Sequence, residues 1–129
     1  MPIHVGDAVP AATFRYVKGR EVVTVSTDEL LRGRRVVMFS VPGAFTPGCA
    51  EQLPGYLEYA AALQDKGVDV IACVAVNDPW VMGAWAQQQG VCGPVLMLGD
   101  GNGEFTRAMG MEMDAAHIGL GPGRAVTWR

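Results

Sequence analysis

Apolar residues gather in three nearly continuous runs, Arg35-Val36-Val37-Met38-Phe39-Ser40-Val41, Val68-Asp69-Val70-Ile71-Ala72-Cys73-Val74-Ala75-Val76 and Val95-Leu96-Met97-Leu98. Runs of this kind predict strands buried on both faces. Between the first two, Leu53, Tyr56, Leu57, Ala60 and Leu63 recur at steps of three and four, which predicts a helix over 50–66. Pro54-Gly55 falls inside it, so a kink or irregular turn is expected there. Asn77-Asp78-Pro79 starts the next helix, with Asn77 or Asp78 as cap and proline in the first turn, and it runs over 80–89. After a turn at 99–103, residues 104–109 read as helical. Upstream, 13–17 and 21–25 form a hairpin turned at Lys18-Gly19-Arg20. Ser26-Thr27-Asp28-Glu29 then caps a short helix over 28–32. Strands alternating with helices predict one α/β domain, a sheet sandwiched by helices.

The chain has 129 residues, half of them apolar, which suffices for one domain and one sizeable core. A net charge of −3 argues against a nucleic-acid partner. Arg32-Gly33-Arg34-Arg35 flanks a strand rather than forming a phosphate patch. No stretch approaches the roughly 20 apolar residues that cross a bilayer, so no membrane association is expected. The start of the chain lacks a basic-then-apolar signal pattern. The three cysteines, Cys49, Cys73 and Cys92, are an odd count without close pairing and do not suggest a disulfide framework, and with no C-x-x-C neither a dithiol redox motif nor a zinc ribbon is expected. His4 and His117 have no ligand-like spacing. No cofactor and no metal are therefore expected. A reducing, cytoplasmic setting is the default for such cysteine usage.

Cys49 differs from the other two. It follows a loop, Pro42-Gly43-Ala44-Phe45-Thr46-Pro47-Gly48, that joins a buried strand to a helix. Amides at a helix N-terminus carry partial positive charge and lack intrahelical acceptors. Such a site lowers a cysteine pKa from about 8.5 into the range of roughly 3.5–7.5. Pro42 shields the thiolate and fixes the chain's approach. The Thr46 hydroxyl serves as a hydrogen-bond partner to sulfur and to a peroxide oxygen. The Gly48 and Cys49 amides point at that same oxygen and bind the substrate. Attack on a peroxide would leave a sulfenic acid on Cys49. Cys73, mid-strand, reads as a small core hydrophobe. Cys92, between glycines, reads as incidental.

The stretch 41–49 resembles the P-x-x-x-T-x-x-C motif of the peroxiredoxins. More narrowly it is similar to the atypical peroxiredoxin 5 group, which includes bacterial forms fused to a glutaredoxin. Likeness continues in Val25-Ser26-Thr27-Asp28-Glu29-Leu30, in Leu53-Pro54-Gly55-Tyr56, in 76–85 and in 100–106. The resemblance implies a thioredoxin-like fold with a central mixed sheet flanked by helices. It implies a thiol peroxidase acting on hydrogen peroxide and organic hydroperoxides. Cys49 would be the peroxidatic cysteine, with Thr46, Pro42 and Gly48 around it. It also implies homodimers formed through the surface around the loop, for which Phe45, Trp80 and Met82 are candidates or ordinary core and rim residues. Glutathione, glutaredoxin or thioredoxin would return Cys49 to the thiol. An impaired redox sensor or binding module without turnover is the alternative.

Two departures from the family pattern carry expectations. The family has Cys-x-x-x-His-Leu-Pro-Gly, whereas Cys49 is followed by Ala50-Glu51-Gln52-Leu53-Pro54-Gly55, one residue short and without the histidine. One residue fewer turns a helix by about 100°. Second, the family continues Gly-Leu-Gly-x-Arg-Ser-x-Arg-Tyr into a core strand and a closing helix, and its first arginine supports the thiolate. This chain reads Gly119-Leu120-Gly121-Pro122-Gly123-Arg124-Ala125-Val126-Thr127-Trp128-Arg129. The expectation is a domain truncated or out of frame after about residue 121, lacking the last strand and helix. Val95-Leu96-Met97-Leu98 or a neighbour would then be left at a sheet edge. Arg124 is a candidate substitute for the family arginine that the sequence does not place.

Overall fold

The computed structural model describes residues 3–90 and 95–126, and for 47–52 the backbone alone. Thr13–Lys18 (β1) and Glu21–Ser26 (β2) pair antiparallel, with Lys18 opposite Glu21. The two-residue turn between them needs positive φ at its first position, which Gly19 supplies at 64°. Ser26 Oγ accepts from the Glu29 amide and the Glu29 carboxylate accepts from the Ser26 amide, each at 3.1 Å. This reciprocal cap starts Thr27–Leu31 (α1), as the sequence predicts.

Val36–Ser40 (β3), Pro47–Asp65 (α2), Val70–Ala75 (β4), Pro79–Gln88 (α3), Val95–Gly99 (β5) and Glu104–Ala108 (α4) follow in turn. The sheet order is β2-β1-β5-β4-β3. β4 runs parallel to β3 and β5, and β1 runs antiparallel to β5 and β2, so the sheet is mixed. Alternate residues of the central strands feed two cores. Ile71, Cys73 and Ala75 join Val95 and Met97 beneath α2 and α3, meeting Leu53, Ala60, Met82 and Trp85. Ala72, Val74 and Leu98 face the other way, against Phe14, Leu30, Phe105 and Met109. Helices therefore cover both faces, and no described helix is long and apolar enough to cross a membrane.

Three expectations need correction. β5 lies inside the sheet, between β1 and β4, and the edge strands are β2 and β3. For the same reason Val36, Val37 and Met38 are only half-buried, while Phe39, Ser40 and Val41 are sealed. α2 stays helical through Pro54, so the irregular turn, one of the two forms expected at Pro54-Gly55, is not formed. Proline has no N–H to give the helix, but Pro54 is exposed and the core stripe from Leu53 onward still seats, with Tyr56 stacked on Phe39 at 3.8 Å between centroids.

Two elements give no periodic signal in the sequence. Glu112–Met113 (β6) pairs antiparallel with Arg124–Ala125 (β7), around a 3-10 turn at Ala116–Ile118. The Val126 amide donates to Met111 O at 2.8 Å, and Ser40 Oγ donates to Val126 O. Residues beyond 121 thus fold back onto the end of β3, through to 126.

Candidate active site

The loop leaving β3 is shaped by one carbonyl. Gly43 O accepts from the Thr46 amide at 3.4 Å and from Thr46 Oγ1 at 2.7 Å, closing a tight turn. Phe45 sits inside that turn at φ 66°, the one positive value among the described non-glycine residues. Such a conformation costs about 1–3 kcal/mol and persists only where surroundings over-determine it. Here the Ala44 amide donates to Asn77 Oδ1 at 2.9 Å, and the Phe45 ring tilts against Trp85 with centroids 6.5 Å apart. Pro42 is half-buried at the mouth of the turn.

α2 begins at Pro47, three residues before the predicted helix start and six before the apolar stripe begins at Leu53. That makes Thr46 the N-cap and Cys49 the third helical residue. Thr46 makes no side-chain cap bond. Its hydroxyl donates instead to the Gly43 carbonyl, which leaves the oxygen's lone pairs free to accept. Pro47 has no N–H, which leaves the Gly48 and Cys49 amides as those that open the helix. The direction of the Cys49 sulfur, and its relation to those amides, lie outside the described residues.

Arg124 is half-buried and doubly anchored. Its Nε donates to Leu120 O at 2.7 Å and its Nη1 to Val76 O at 2.8 Å. The guanidinium lies on Gly43: a Cβ built there would stand 3.5 Å from Nη1. Sequence spacing offered no way to place this cation, because β6 and β7 are two residues each and the contact spans 48 positions. Asn77 was missed for a related reason. The sequence left Asn77 and Asp78 as equal candidates to cap α3, and the structure gives that task to Asp78, whose Oδ1 accepts from the Val81 amide at 2.8 Å.

The candidate contact residues divide. Met82 is fully buried in the core, whereas Phe45 and Trp80 are 48% and 67% exposed. Cys73 is sealed in the core, as its mid-strand position suggests. Cys92 lies outside the described residues. Among the described residues no cluster of His, Cys, Asp or Glu could hold a metal ion.

The redoxin family model matches residues 4–126. Peroxiredoxin-2E-2, chloroplastic, of Oryza sativa subsp. japonica is 50% identical over 125 residues, covering 94% of this chain and 56% of its own. The chain thus spans about half the length of that curated relative. Reduced Prx3 from Vibrio vulnificus, solved in complex with H2O2, matches with a TM-score of 0.90 at 45% identity, over 97% of this chain and 78% of that one. Peroxiredoxin 5 from Alvinella pompejana matches with a TM-score of 0.88 at 38% identity, over 98% and 80% of the two chains.

Proposed function

Because this chain belongs to the redoxin family, as a peroxiredoxin of the atypical peroxiredoxin 5 group, we propose that it is a thiol-dependent peroxidase acting through Cys49. One observation carries the reading: Cys49 opens a helix whose N-cap hydroxyl is turned away to Gly43, while a fixed guanidinium lies on the loop that leads into it. Amides at a helix start and a nearby cation both favour thiolate over thiol.

The Cys49 thiolate attacks one oxygen of the peroxide, a sulfur–oxygen bond forms and the oxygen–oxygen bond breaks. Sulfur loses two electrons to the leaving oxygen, which takes up a proton and departs as water or an alcohol. The Gly48 and Cys49 amides, directed at that oxygen, would lower the barrier without reorganising. Thr46 Oγ1, with its proton held by Gly43 O, has lone pairs left to accept from the peroxide O–H. Two external thiol groups then reduce the sulfenic acid, releasing water and becoming a disulfide. Glutathione, glutaredoxin or thioredoxin fits this step, since Cys73 is shut in the core. A cytoplasmic homodimer with Phe45 and Trp80 at its contact is part of the same proposal.

Treating the protein with one equivalent of peroxide in the presence of dimedone, then mapping peptides by mass, tests the reading. The adduct is expected on the peptide holding Cys49. An adduct confined to Cys73 or Cys92 would refute the assignment, and an intramolecular disulfide at Cys49 would refute recycling by an external thiol.

A further inference from the structure

We propose that Asn77 is a positioning residue for the peroxide site: its carboxamide oxygen, bonded to the Ala44 amide, holds the turn that delivers Thr46 and the start of α2. The inference rests on the peroxidase reading above.

With Asp78 occupied as the α3 cap, Asn77 turns the other way and reaches a loop 33 residues upstream. Its own backbone has little freedom. A Cβ on Gly99 would stand 2.8 Å from Asn77 O and 3.1 Å from Arg15 O, so only glycine lets the end of β5 pass so close. Val76, next in the chain, accepts from Arg124. Three consecutive residues therefore hold the arginine, the loop and the helix cap. Gly43 lies under two of these groups at once, its built Cβ 3.5 Å from Arg124 Nη1 and 3.9 Å from Asn77 Oδ1.

The Ala44 amide is the point where that hub grips the turn. Ala44 immediately precedes Phe45, whose left-handed backbone must be held in place from outside. Without the Asn77 oxygen, the turn can relax toward an ordinary φ at Phe45. That relaxation would swing Thr46 away from its bond to Gly43. The sulfur itself would keep its nucleophilicity, so the loss should fall on peroxide chemistry and spare reactions that need no oriented loop.

Rates of Cys49 with hydrogen peroxide and with iodoacetamide, measured where the thiol is fully ionised in every protein, test this. Asn77→Ala is expected to lose about tenfold to a hundredfold toward peroxide, while alkylation stays within about twofold. Asn77→Asp keeps an oxygen at the same position and is expected to recover to within about threefold of wild type toward peroxide. Should Asn77→Ala not fold, Asn77→Ser, whose oxygen stops short of Ala44, is read the same way. An unchanged peroxide rate in the truncated variant, equal losses toward both electrophiles, or no recovery in Asn77→Asp overturns the inference. A wild-type protein no faster toward peroxide than a free thiol overturns the peroxidase reading, and this inference with it.

Discussion

Cys49→Ser is expected to bring peroxide consumption with an added thiol down to the background of thiol and buffer. The loss should be at least about a thousandfold, because the nucleophile itself is removed. A serine hydroxyl at the same helix start cannot ionise near neutrality, so the variant holds no comparable nucleophile at residue 49. Cys73→Ser is the matched control. Cys73 sits between Phe39 and Met97 across the sheet and is sealed from solvent. That variant should melt earlier and still turn over peroxide. Equal rates for wild type and Cys49→Ser would remove the catalytic assignment outright.

The second large effect is on stability. Asp100 is 2% exposed at the end of β5. Its carboxylate accepts from the Phe105 amide at 3.2 Å, the Thr106 amide at 2.9 Å and Thr106 Oγ1 at 2.8 Å. Those bonds hold the first turn of α4, whose Phe105 fills the second core against Phe14 with centroids 4.9 Å apart. Removing the acceptor strands three buried donors where water does not easily follow. Asp100→Ala is therefore expected to cost about 3 kcal/mol or more, read as a lower urea midpoint at unchanged slope. A shift below about 1 kcal/mol would show that the turn is satisfied by other means.

Much of this architecture is visible along the chain because it is local. The Ser26-Glu29 capping pair, Gly19 in a two-residue turn and Pro79 in a first turn each need only their near neighbours. Strand burial was legible for β4, which is covered on both faces. It was overstated for β3, because an apolar run does not say which strand ends up outermost. Met82 could not be told from a surface residue by its place beside Trp80. Half of the site was equally legible, since a cysteine between a strand–loop and a helix has a position that follows from adjacency. The rest depends on contacts between distant segments. Arg124 reaches Val76 through two-residue strands that no periodicity reveals. Asn77 holds Ala44 through a side chain whose alternative role, capping α3, fits the sequence just as well. The shortened stretch between Cys49 and Pro54 shows the same limit from the other side. α2 runs continuously from Pro47 through the shortened stretch, and the Leu53–Leu63 stripe keeps its seat.

The central claim is that Cys49 exists as a thiolate near neutral pH. Its reaction with iodoacetamide, followed against pH in wild-type protein, measures this directly. A midpoint well below the ordinary thiol value of about 8.5 is the predicted result. A midpoint at or above that value would contradict the account.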